Sequence, residues 1–292
     1  MKFSGSIVAL ITPFHNGEVD INSLKKIVEW HLVEGTQGFV ACGSTGEAAL
    51  LTASERRLVL ETVVKAAAGR VPVIAGCGAP ATHEVKAMME EAKALGCDAA
   101  LVVTPYYVKP TPEGVYQHFK VLNQIGLPIV LYNNPGRAVT GLSVDTVVRL
   151  AELPMVVAIK DSCEDLTRVI KMRQRINKEF SFLSGDDPIA TAYMAHGGDG
   201  VISVSANVVP RLVQQLMDAW VNKDIGTFSK LRDQLLAVHE AMFIETSPSP
   251  IKYAASQLGL CNSEVRLPLV PVTDAAKSVV DHALKTVGLL AA

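Results

Sequence analysis

Cysteine, aromatic side chains and net charge are all scarce in this sequence, and long apolar runs are missing. There are five cysteines (Cys42, Cys77, Cys97, Cys163 and Cys261), an odd number without CxxC spacing. That pattern argues for reduced thiols in a cytoplasmic protein and against a disulfide framework or a zinc site. A net charge of −2 leaves no electrostatic footprint for nucleic acid or an anionic membrane. No uninterrupted apolar run approaches ~20 residues, so no membrane span is expected. The opening "SIVALITPF" lacks a small-residue cleavage site after it and reads as a first strand rather than a signal peptide. No GxGxxG follows that strand, which removes the phosphate loop that an open dinucleotide-binding sheet would need.

What is present is a periodic alternation of strand and helix. Hydrophobic residues make up 49% of the 292 positions, enough for a large core. Strands are predicted at 6–12, 38–42, 71–75, 99–104, 128–132, 155–160, 180–184 and 200–204. Most are apolar on both faces, as parallel strands buried on both sides should be. Amphipathic stretches such as "INSLKKIVEWHLVEG" and "THEVKAMMEEAKALG" lie between them. Eight such units predict an α/β fold, a (β/α)8 TIM barrel over residues 1–222. Residues 223–292 read as a C-terminal helical extension packed on that barrel, with no Ser/Gly-rich linker before it.

Catalytic groups of such barrels come from the C-terminal ends of strands and the loops after them. Here those ends read "CGSTGE", "TPYYVKP", "YNNPGR", "IKDS", "SGDD" and "ISVSAN". Polar and reactive residues gather there without the spacing of a metal-ligand cluster, so no metal is expected. Lys160 follows the run Met155–Ile159, and an ammonium group at the end of a buried strand is costly unless paired, solvated or neutralised. Desolvation favours the free amine of a lysine, which can attack a carbonyl to form a Schiff base. An ion pair of Lys160 with Asp161 or Glu47 that merely closes the barrel is an equal reading of position alone. Tyr132 ends the preceding strand and offers a phenol that could shuttle protons beside that lysine, which tips the balance to catalysis. Arg137 could bind a carboxylate bidentately, although alone it reads better as a solvated loop arginine.

Seven stretches occur in order: "GSTGEAALL", "VPVIAGCGA", "VTPYYVKPTPEGVYQHF", "YNNPGR", "SGDD", "GVISVSANV" and "SPSPIKYA". With them the chain resembles the dihydrodipicolinate synthase/N-acetylneuraminate lyase family of Schiff-base barrels, over nearly its whole length and nearest the synthase branch. The resemblance implies a lyase of lysine and diaminopimelate biosynthesis. It would condense pyruvate with L-aspartate 4-semialdehyde to give 4-hydroxy-tetrahydrodipicolinate. It implies that Lys160 forms the imine with pyruvate and needs no separate cofactor. Tyr132 would relay protons with the hydroxyl of Ser44 and with Tyr107 reaching in from a neighbouring subunit. Thr45 would hold the pyruvate carboxylate, Gly185 and Ile202 would line the site through their backbones, and Arg137 would receive the carboxylate of the aldehyde. A homotetramer of two tight dimers is implied as well.

The departures from the family pattern are local. Ser44 stands where synthases usually have Thr, losing the methyl that restrains the rotamer. "DSCEDLTR" follows Lys160 where the pattern reads "EATGNLTR", and "YNNPGRAVTG" is two residues longer than usual. Many synthases are inhibited by lysine, and of that site's usual residues Ala49, Glu84 and Tyr106 are present. Pro80 replaces an Asn there, with Ala53 and Arg56 at two positions often polar, so lysine inhibition is expected to be weak or absent. The alternative reading is a related class I aldolase or dehydratase for a sugar acid or N-acetylneuraminate. Arg137 and the "PYYVKP" pair suit a short charged aldehyde better than a polyol. A silent 2-oxo acid sensor is a third reading, against which the joint presence of Lys160, Tyr132 and Arg137 argues.

Overall fold

Runs of Val, Ile, Leu and Ala that are apolar on both faces form eight short parallel strands. In the computed structural model, which describes residues 2–291, these are β1 (Gly5–Ala9), β2 (Gly38–Ala41), β3 (Val73–Gly76) and β4 (Ala99–Val103). They continue as β5 (Ile129–Asn133), β6 (Val156–Asp161), β7 (Ser181–Ser184) and β8 (Gly200–Ser203). The strands close a barrel in sequential order, each hydrogen-bonded to its chain neighbours, with β8 returning to β1. The predicted (β/α)8 barrel is therefore the observed fold. Three helices follow Val221: Ile225–Ala241, Ser249–Gln257 and Asp274–Thr286. No helix among the described residues is long and apolar enough to cross a membrane.

Two compact units make up the chain. One holds Val73–Ile202 with the first residues to Ser4, and the other holds Gly5–Pro72 with Ser203 onward. In the first unit Ala99–Val103, Ile129–Asn133 and Val156–Asp161 lie side by side and are almost wholly buried. In the second, β1 pairs with β2 through Ile7 opposite Gly38 and Val8 opposite Phe39. Helix starts follow the capping chemistry of the sequence. Thr52 and Glu55 form a reciprocal capping box, and Asp20, Thr111 and Ser143 each accept a backbone N–H of the helix they open.

Two sequence expectations are corrected. Asp161 is the last residue of β6 rather than the start of a loop. The pairing runs on past Lys160 because Ser162 N–H donates to Asn133 O at 2.9 Å and Gly185 N–H to Asp161 O at 2.8 Å. The segment after β1, read as continuing the strand to Thr12, leaves the sheet after Ala9. It then makes a small hairpin, Phe14–His15 with Glu18–Val19. Its turn is Asn16-Gly17, both at positive φ (52° and 83°), the chemistry a tight two-residue turn requires.

A buried histidine in the second unit makes stability depend on pH. His31 is fully enclosed, its ring edge-on to Trp30 and Phe39, with Nδ1 2.9 Å from Thr36 Oγ1. Burial pushes its pKa down to about 3. The folded-state value lies below the unfolded one, so the stabilisation is full above the ordinary value near 6.5. It is lost as pH falls from there toward 3, because only the unfolded chain takes the proton. Between pH 7.5 and 5 the cost should reach about 2 kcal/mol. His31→Gln should roughly halve the pH dependence of the denaturation midpoint over that range, leaving the similar contribution of His118, which burial holds near 4. An equally steep profile in that variant would contradict this assignment.

Candidate active site

Strand register brings the two central residues together. On β5 and β6, Tyr132 lies opposite Lys160 and Asn133 opposite Asp161. Both Lys160 and Tyr132 are buried, at 6% and 7% exposure, so neither group has been left to bulk water. Lys160 Nζ sits 4.4 Å from the centroid of the Tyr132 ring, a favourable place for an ammonium over a π face. Asn134 Nδ2 donates to the Tyr132 hydroxyl at 2.9 Å, and Asn134 also caps the one-turn helix Pro135–Ala138 through Arg137 N–H. Burial works to raise the Tyr132 pKa. The charge of Lys160, the Asn134 bond and the charge of Arg137 outweigh burial and hold the phenol below its ordinary value. A phenol tuned downward beside an amine is a competent proton relay.

The partners that sequence alone allowed Lys160 are engaged elsewhere. Asp161 is 1% exposed; Asn133 Nδ2 donates to one of its oxygens at 2.7 Å, and Arg168 Nε donates to the other at 3.1 Å. Arg168 also donates to Leu142 O, and Asn133 Oδ1 accepts from Leu142 N–H. This buried network fixes the ends of β5 and β6 and ties the loop after β5 back to them. Thr104 Oγ1 adds a bond to Thr140 O, and Val139 turns the chain at φ 64°. The segment after Arg137 is thus folded into a braced turn. Glu47 accepts a hydrogen bond from Lys252 Nζ at 2.7 Å.

The remaining residues of the first unit divide by position. Arg137 is exposed, while Ile202 on β8 is 1% exposed. Gly185 follows β7 where a Cβ would come within 3.0 Å of Lys160 Cε and 2.1 Å of Ser162 Oγ, so only glycine fits without a shift. Tyr107 is 88% exposed at φ 70°, a conformation that non-glycine residues seldom adopt. Tyr106 and Glu84 share a neighbourhood. Burial, and then the Glu84 charge, raise the Tyr106 pKa.

In the second unit, β2 ends in a tight loop carrying Ser44, exposed, and Thr45, buried. Gly46 N–H and Ala48 N–H donate to Gly43 O, Glu47 N–H donates to Ser44 O, and Thr12 Oγ1 donates to Gly46 O at 2.7 Å. Glu47, at φ 54°, anchors the loop inward. Its second oxygen accepts Arg266 N–H at 3.0 Å. The Arg266 guanidinium in turn holds Glu55, Leu50 O and Gly17 O. Phe14 lies under both cations, 4.0 Å from Lys252 Nζ and 4.4 Å from Arg266 Cζ. Burial pushes the Lys252 pKa down, against the pull of Glu47. Sequence reasoning missed the roles of Lys252 and Arg266, although Lys252 lies within the stretch "SPSPIKYA". No cluster of His, Cys, Asp or Glu suited to a metal occurs among the described residues.

The profile of the Dihydrodipicolinate synthetase family matches residues 2–287. The chain belongs to that family. A 4-hydroxy-tetrahydrodipicolinate synthase of Rhodospirillum centenum is 50% identical over 289 residues, 99% of each chain. The crystal structure of dihydrodipicolinate synthase from Aquifex aeolicus superposes with a TM-score of 0.96 at 44% identity, covering 98% of this chain and 99% of that one. The chloride-inhibited dihydrodipicolinate synthase of Acinetobacter baumannii, complexed with pyruvate, gives 0.95 at 42% identity, covering 98% and 99%. These family relatives are synthases, which does not favour the sugar-acid alternative.

Proposed function

We propose that the chain is a Schiff-base lyase that condenses pyruvate with L-aspartate 4-semialdehyde to give 4-hydroxy-tetrahydrodipicolinate. The observation that carries this reading is the Lys160–Tyr132 pair, in register on adjacent strands with the amine over the phenol ring. The Lys160 amine attacks C2 of pyruvate, and the carbonyl oxygen is protonated and leaves as water. The resulting iminium draws electrons from C3, so a C3 proton is lost and an enamine forms. C3 of the enamine then bonds to the aldehyde carbon, whose oxygen takes up a proton, and the amine of the semialdehyde adds to C2 of the regenerated iminium, closing the ring and displacing the Lys160 nitrogen as the free amine. Tyr132 moves protons at the steps on C2.

Thr45 and the loop around it hold the pyruvate carboxylate, Ser44 links the relay, and Gly185 and Ile202 line the site through backbone groups. Arg137, exposed beside the phenol, takes the carboxylate of the aldehyde. The exposure of Tyr107 supports its role as a residue that crosses to a neighbouring subunit, and with it a homotetramer of two tight dimers in the cytoplasm. Turnover assayed with aspartate semialdehyde and with sugar acids tests the reading. Rapid sugar-acid cleavage without synthase activity would overturn it.

Lysine inhibition should be weak. Ala49, Glu84 and Tyr106 are in place, but Pro80 has no side-chain amide, and Ala53 and Arg56 stand at two positions often occupied by other polar groups. Half-maximal inhibition at submillimolar lysine in a steady-state assay would contradict this.

A further inference from the structure

The structure leaves one polar atom beside Lys160 without a partner. Ser162 Oγ is buried and makes no hydrogen bond, while the Ser162 backbone is fixed by its N–H bond to Asn133 O. The point where a Gly185 Cβ would stand is 2.1 Å from Ser162 Oγ, 3.0 Å from Lys160 Cε and 3.1 Å from Lys160 Cγ. The hydroxyl and the lysine stem therefore share the small space that glycine at 185 keeps open. Lys160 Nζ itself is directed over the Tyr132 ring, while the unbonded hydroxyl borders the same space as the stem that carries the amine. A buried hydroxyl without a partner is unfavourable, and the penalty is removed when an arriving group supplies one. The family stretch "EATGNLTR" that the sequence resembles has alanine where this chain has Ser162.

We propose that Ser162 is a further catalytic residue, whose hydroxyl donates a hydrogen bond to the C2 oxygen of pyruvate as the carbinolamine forms on Lys160. That oxygen is bonded to the carbon that Nζ attacks, so it must sit within one covalent bond of the new C–N bond. The Nζ lone pair forms that bond, and the carbonyl π pair moves onto the oxygen, which takes up a proton and later leaves as water. Ser162 holds the oxygen through these changes and gives up no proton of its own. The inference rests on Lys160 being the imine-forming residue.

The test compares the wild-type protein with Ser162→Ala. Borohydride trapping at subsaturating pyruvate should be about fivefold slower in the variant, as the loss of one hydrogen bond implies. The KM for pyruvate should rise by a similar factor, with a smaller change in kcat at saturation. The Tm of the free protein should be unchanged or higher, because the resting hydroxyl bonds nothing, and the Tm rise on adding pyruvate should shrink. Equal trapping rates and KM values would overturn the proposal. So would a lower Tm of the free variant with adduct formation unaltered, which would make the hydroxyl structural. No trapping in the wild-type protein with any 2-oxo acid would instead sink the assignment of Lys160 itself.

Discussion

Lys160→Ala should lose at least ~10³-fold in turnover, because the reaction has no other amine positioned over the Tyr132 ring. The folded state should be little affected. Lys160 lies on a strand whose neighbours Ala158 and Ile159 are wholly buried, and alanine suits that environment. The two carboxylates that the sequence alone offered it lose nothing, since Asp161 is held by Asn133 and Arg168 and Glu47 by Lys252. The pairing of a near-dead enzyme with a nearly unchanged Tm separates chemical from structural loss. Substantial retained turnover would remove Lys160 from the mechanism.

Lys252→Met should have the largest effect on stability. It leaves the Glu47 carboxylate buried with its main cation gone, and breaking such a pair from one side costs about 3–5 kcal/mol. The loss should show as a large fall in denaturation midpoint. Because Glu47 anchors the loop that carries Ser44 and Thr45, affinity for pyruvate should fall as well. Adding Glu47→Gln to the variant should restore part of the stability, since the uncompensated charge is then removed. A stability within about 0.5 kcal/mol of wild type, the range of an ordinary surface change, would contradict the role given to this pair.

The contrast between these two lysines explains what could be read in advance. Lys160 was legible because parallel strands buried on both faces announce themselves as apolar runs, and chain order then sets Tyr132 beside it. The register that pairs them is a local consequence of consecutive strands. Lys252 was not legible in the same way. Its partner Glu47 lies 205 positions away, and no periodicity in either segment links the two. Strand ends were misplaced where side chains and backbone continue the ladder, as at Asp161, whose carboxylate is satisfied from Asn133 and Arg168 rather than by solvent. The hairpin at Phe14–His15 did carry a signal, the Asn16-Gly17 dipeptide, overshadowed by the apolar run before it. Ser162 was visible only as a departure from a pattern. Its unpartnered oxygen is a property of packing against Gly185.

The most direct test of the account is to reduce the protein with borohydride in the presence of pyruvate and map the modified peptide by mass spectrometry. The account predicts one reduced pyruvyl adduct per chain, located on Lys160. An adduct on a different lysine, or none while turnover persists, would contradict it.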